Sequence, residues 1–171
     1  GGYSTMVPMQ ICTRHEYAVE PIEVVTMMAD ETWLAEVARH AGAESWEVSA
    51  AEGRSQVHAQ VPAPRRAKTF TGPYLKIHLT ITWHEPEPDG SYRGDIEVAL
   101  DGLPASMHGT GVATAAEVAG RSGTAVSYDA DFVINIPVLG RNLEEAAAPH
   151  VLRIINTQQD VGREWLANRP A

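Results

Sequence analysis

The stretch from Asn142 to Leu166 constrains the fold of this chain more than any other. Leu143, Ala147, Val151, Ile154, Ile155, Val161 and Trp165 recur at helical spacing along one broad side. Asn142 is placed to begin the helix, with Glu145 in capping-box position and Glu144 beside it at the positive end of the helix dipole. A helix of about 26 residues is roughly 39 Å long, enough to cross a whole small sheet. Pro149 lies inside the pattern, removes the bond to the Glu145 carbonyl, and is expected to kink the helix or restart it. An apolar side of this length must be covered, and that requirement organises everything before it.

The cover is read as strands. From Tyr74 to His84 the chain alternates cleanly: Leu75, Ile77, Leu79, Ile81 and Trp83 share one face, and Lys76, His78, Thr80, Thr82 and His84 the other. Further strands are expected at Met9–Tyr17, Glu44–Ala51, Ser55–Val61, Tyr92–Leu100, Ser106–Val118 and Ala125–Ile136. Turns fall at Glu52-Gly53-Arg54, Glu85–Gly90, Asp101-Gly102 and Gly120–Gly123, and Pro137 stops the last strand because it cannot donate to a ladder. Pro21 suits a first helical position, and Asp30 an N-cap for a second short helix that ends near Ala41-Gly42. The residues from Pro62 to Pro73 form a Pro- and basic-rich connection. The expected fold is α+β: a helix grip, in which a curved seven-stranded antiparallel sheet wraps around the long C-terminal helix, with two short helices after strand 1. Residues 7–169 are expected to form one domain, with 1–6 an added or disordered leader before a native start at Met6 or Met9.

Composition excludes several classes. At 171 residues and 44% hydrophobic, the chain suits a globular core, and no apolar run approaches the roughly 20 residues of a membrane span. The start lacks the basic and continuous apolar segments of a signal peptide. The formal charge of −9 repels phosphate backbones and anionic lipid surfaces, which disfavours nucleic acid as a partner. Cys12 is the single cysteine, so neither an intramolecular disulfide nor a Cys-based zinc site is expected, and a reducing cytoplasm fits.

No catalytic, metal or cofactor motif stands out. The seven histidines are scattered; His78 and His84 share a strand face but lie about 20 Å apart, too far for one metal. Cys12 and His15, three apart on a strand, point to opposite faces. Gly109-Thr110-Gly111 has no helix after it and reads as a bulge or close approach rather than a phosphate loop. Glu144-Glu145 are explained by a helix start, and Asp129 and Asp131 by an exposed strand face.

The order of elements resembles that of the START-like, or pollen-allergen-like, superfamily, and more narrowly a family of actinobacterial domains of unknown function within it. Four segments carry the resemblance: Ala29-Asp30-Glu31-Thr32-Trp33, Ile81-Thr82-Trp83, Gly102-Leu103-Pro104, and Ile136-Pro137-Val138-Leu139-Gly140 with Leu143-Glu144. The chain departs from that pattern at Arg141-Asn142, where a second Gly is common, and at Pro149. The resemblance implies a space between sheet and helix, where the residues alone leave either a closed core or a partly open cavity. It implies a binding or carrier protein for a small hydrophobic ligand, lipid or polyketide-like, with no cofactor. A cyclase- or hydratase-type enzyme, or a co-chaperone-like interaction module, are the alternatives.

Within such a cavity the expected ligand contacts are Ile77, Leu79, Ile81 and Trp83 from one strand, Tyr92, Tyr128 and Phe132 from others, and Val151 and Ile155 from the helix. Tyr92, Tyr128, Thr13 and His15 are candidate polar anchors. Arg65, Arg66 and Lys68, clustered in a Pro-bounded loop of an acidic chain, are expected to meet a carboxylate or phosphate headgroup.

Overall fold

The structure is a computed structural model and describes residues 8–169. The expectations for residues 1–6 lie outside the described residues. Strands β1 (Met9–Tyr17), β2 (Ser45–Ala51), β3 (Arg54–Pro62), β4 (Tyr74–Trp83), β5 (Tyr92–Asp101), β6 (Ala105–Val118) and β7 (Arg121–Ile134) form one antiparallel sheet in the order β1-β7-β6-β5-β4-β3-β2. All but one of these neighbours follow each other in sequence; β1 instead closes onto β7, with Met9 opposite Phe132 and Tyr17 opposite Thr124. Helices α1 (Pro21–Met28) and α2 (Glu31–His40) follow β1, a single turn α3 (Lys68–Thr71) precedes β4, and α4 (Gly140–Asn168) crosses the concave face. The helix grip expected from the sequence is the fold observed.

Local chemistry accounts for the short helices. Pro21 opens α1, and Glu20 and Glu23 satisfy each other's backbone donors in a capping box. Asp30 caps α2 by accepting from the amides of Thr32 and Trp33. The turn α3 was not expected from the sequence; its four residues carry no buried side chain, so periodicity has nothing to register there.

Two expectations for the last helix require correction. It starts at Gly140 rather than Asn142, and no side chain caps it, so the Asn142–Glu145 capping box does not form. Glu144, buried at 3% exposure, instead accepts from the amide of Ile134 at 3.0 Å, and Arg141 lies 3.5 Å from its carboxylate. This ties the first turn of α4 to the end of β7. A Cβ on Gly140 would overlap the Ile134 carbonyl, which is why the chain needs glycine at this close approach. The helix also runs on through Pro149 and does not restart there. Pro149 and Glu145 are both exposed, so the carbonyl freed by proline lies on the solvent side, where its loss of a partner costs least.

The interior divides in two. One cluster gathers Tyr17, Met27, Met28, Trp33, Leu34 and Trp83 beneath α1, α2 and the second half of α4, represented by Val161. The other gathers Ile11, Leu103, Met107, Phe132 and Ile134 beneath the first half of α4, with Leu143, Ala147 and Val151 packed against it. Ile155 touches both clusters and marks the divide.

Candidate ligand cavity

α4 packs on β1, β7 and α2, along one flank of the sheet. The opposite flank of the concave face curves away from it. The consequence is visible along β4: Leu75, Ile77 and Leu79 point inward yet are only half-buried, whereas Ile81 and Trp83 farther along are buried. On β5, Ile96, Val98 and Leu100 are likewise half-buried. Apolar side chains on a covered face that keep this much surface line a void.

That void has a volume of about 820 Å³, within the range of small-molecule sites. Its floor is β4 and β5, its far wall is Met107 on β6 with Tyr128, Ala130 and Phe132 on β7, and its roof is α4 through Leu143, Ala147, Val151 and Ile155. Most of the lining residues are exposed only in part, but Gly42, Pro62, Arg65, Arg66, Phe70, His150 and Arg153 are exposed. They locate the mouth between the end of α2, the β3–α3 connection and the middle of α4. Phe70, 41% exposed, supplies an aromatic side chain at this edge.

Of the expected ligand contacts, Ile77, Leu79, Ile81, Tyr128, Phe132, Val151 and Ile155 line the cavity, as do Arg65 and Arg66. Trp83 and Tyr92 do not; they belong to the solid cluster, because β4 and β5 run from the hollow end of the interior to the filled one. The Trp83 ring covers Gly94, where a Cβ would lie 2.8 Å from its Cε3. Lys68 also lies outside the lining. His150, Arg153, Ser106 and Gln158 line the cavity without having been expected there. Three of these stand on α4: helical spacing puts Gln158 within the apolar side, His150 at its edge and Arg153 beyond it.

The ionisable groups near the inner wall are neutral around pH 7. The edge of His15 meets the ring of Tyr128, with centroids 5.1 Å apart. Asn156 Oδ1 accepts from the Thr13 hydroxyl at 2.9 Å and lies 2.9 Å from His15 Nε2. An oxygen that only accepts requires the proton on Nε2, which leaves His15 Nδ1 as a buried acceptor with no partner. Desolvation is the main cause that pushes the His15 pKa down, against the raising effect of the Asn156 contact. Burial holds the Tyr128 phenol far above its ordinary value, and its hydroxyl lies 3.8 Å from Met28 Sδ.

The outer face of the sheet carries a different set. The β3–β4 register sets His58 opposite His78, with their Nδ1 atoms 3.1 Å apart, and His78 Nε2 lies 2.8 Å from Asp101. Twenty residues separate the two histidines in sequence, so only the register unites them. Among the described residues no group of three His, Cys, Asp or Glu side chains is disposed to hold a metal ion. Among the same residues no helix is long and apolar enough to cross a membrane.

Residues 13–166 match a family described as a protein of unknown function, DUF2505, and the chain belongs to that family. No curated protein sequence matches it. Solved structures resemble it in fold. A crystal structure of a protein from Thermus thermophilus superposes with a TM-score of 0.61 at 16% identity, covering 94% of this chain and 100% of the other. A START superfamily protein from Mycobacterium smegmatis gives 0.53 at 13% identity, with 92% and 98% covered. A point mutant of norcoclaurine synthase from Thalictrum flavum, in complex with a transition-state analogue, gives 0.56 at 10% identity, with 94% and 95% covered. At these identities the likeness is one of fold: this chain shares the architecture of START superfamily proteins.

Proposed function

We propose that this DUF2505 protein binds or carries a small hydrophobic molecule, lipid or polyketide-like, in the cavity beneath α4. One observation carries the reading: a hollow of about 820 Å³, walled by aliphatic and aromatic side chains and open at one edge, beside a densely populated cluster of buried side chains. The part of this apolar surface that stays open to solvent contributes nothing to folding while empty, and burial of a ligand's apolar surface there is worth about 25 cal/mol per Å². The half-buried stripe of Leu75, Ile77 and Leu79 would make the largest contribution. The free thiol of Cys12 fits a reducing cytoplasm.

The norcoclaurine synthase likeness raises catalysis as an alternative, but the lining argues for binding. Among the described residues that line the cavity none is Asp or Glu, and the groups nearest the inner wall, Tyr128 and His15, are held neutral. A solid interior, which an interaction module would favour, is present in one half only. Native mass spectrometry and solvent extraction of gently purified protein test the proposal. A bound hydrophobe, or a thermal shift of several degrees with added medium-chain lipids, is the expected result. Repeated recovery of ligand-free protein that no hydrophobe stabilises overturns it.

A further inference from the structure

The charge at the mouth of the cavity runs against the charge of the chain. The protein carries 22 acidic and 13 basic residues, yet the described lining holds Arg65, Arg66 and Arg153 and not one carboxylate. Their pairing is equally uneven. Arg39 and Arg169 each spend their charge on a carboxylate at 2.8 Å. Arg65 and Arg66 have no hydrogen-bond or ion-pair partner among the described residues, and the guanidinium of Arg153 meets His150 Nδ1 rather than a carboxylate. Three uncompensated guanidiniums therefore stand where solvent meets an apolar chamber, from two elements on different sides of the opening.

We infer that this mouth is an anion-recognition site, and that the molecule in the cavity is an amphiphile whose carboxylate or phosphate head is met by Arg65 and Arg66 from the β3–α3 connection and by Arg153 from α4. The inference rests on the binding role proposed above and adds the class of ligand. The physical logic is a division of labour. The chamber offers dispersion and apolar burial to a tail. Guanidiniums at a partly dry rim offer planar, paired N–H donors that match carboxylate and phosphate oxygens. Because the three arginines are exposed, water still reaches them in the empty protein, and their charge costs little until an anion replaces that water. Lys68 plays no part, since it lies outside the lining.

The test uses the full chain at pH 7.5 and low salt, with the neutral probe N-phenyl-1-naphthylamine in the cavity. Decanoate, decyl phosphate, decanol and decyltrimethylammonium are compared as displacers of equal chain length. Decanoate or decyl phosphate should compete at least about tenfold better than decanol, a difference of about 1.4 kcal/mol, with the cationic amphiphile weakest. Whichever anion leads assigns the head. The Arg65→Gln/Arg66→Gln double variant and Arg153→Gln should each narrow the anion-to-alcohol ratio by weakening the anions more than decanol; Lys68→Gln should leave the ratio as it is. Equal competition by decanoate, decyl phosphate and decanol overturns the head assignment and leaves the cavity's role standing, as does a preference that survives every arginine variant. Failure of the probe and all four amphiphiles to bind removes both.

Discussion

The two halves of the interior are built from the same strands and under the same helix, yet one is full and the other hollow. In the filled half, α1 and α2 lie between the sheet and solvent and contribute Met27, Met28, Trp33 and Leu34, each at most 2% exposed. The helix comes close there: Gly162 lets it approach so near that a Cβ would lie 2.7 Å from the Tyr17 ring. In the hollow half no residue of α1 or α2 lines the space between β4–β5 and the first turns of α4, which is left to the cavity. The difference teaches that a sheet and one helix do not make a complete core. Whether a given apolar side chain stabilises the fold or waits for a ligand depends on whether a third element reaches it.

The comparison can be broken most sharply by truncation. Trp33→Ala should cost about 3–5 kcal/mol in urea unfolding, as expected for a fully buried large side chain. Ile77→Ala, at a side chain that faces the void and belongs to neither packed cluster, should cost less than about 1.5 kcal/mol. Comparable losses at the two sites would mean that the hollow half is in fact packed.

Filling sharpens the same contrast. Ala147→Phe places a ring in the cavity from α4, and should lower the affinity of a neutral apolar probe by about tenfold while changing stability by no more than about 1 kcal/mol. The mirror experiment, Gly162→Ala in the filled half, should destabilise by about 1–3 kcal/mol, because the added Cβ would meet the fully buried Tyr17 ring at 2.7 Å. Thermal unfolding reports one outcome and fluorescence titration the other.

The smallest expected effect is a pH dependence from the seam between the halves. His15 is buried, and its folded pKa lies below the ordinary value of 6.5. As pH falls through 6.5 the unfolded chain takes up a proton that the folded chain refuses, so the unfolded state binds more protons and stability decreases. The loss continues until the folded pKa is reached. The carboxylates with depressed pKa values, Glu23, Glu36, Asp89 and Asp101, begin to contribute only below their ordinary values of 4.5 and 3.8. His15 should therefore contribute a loss of stability as pH falls from 6.5 towards 5, and His15→Gln should reduce the slope in chemical unfolding followed across that range.

Most of the elements were legible because they rest on short-range chemistry. The alternation of Tyr74–Trp83 and the caps at Pro21 and Asp30 each depend on side chains and their immediate neighbours, whereas β7 stops at Ile134, short of the expected stop at Pro137. The start of α4 was misplaced for the opposite reason. Asn142 and Glu145 have the spacing of a local cap, but the helix begins two residues earlier, where Glu144 finds a buried partner in the Ile134 amide at the end of β7. Site residues followed the same rule. Ile77, Leu79 and Phe132 were recognisable from the apolar stripes, whereas Trp83 sits on the same stripe as Ile77 and faces a different environment.

By itself, then, the sequence determined the periods, the breaks and the existence of a long one-sided helix, because those follow from backbone geometry and nearest neighbours. Only the tertiary structure decided where along that helix the sheet draws near and where it stands away. It also brought Arg153 to the same opening as Arg65 and Arg66, and fixed the register that sets His58 against His78. These outcomes depend on how far apart packed elements come to rest, a distance set by every side chain between them and by no single stretch of chain.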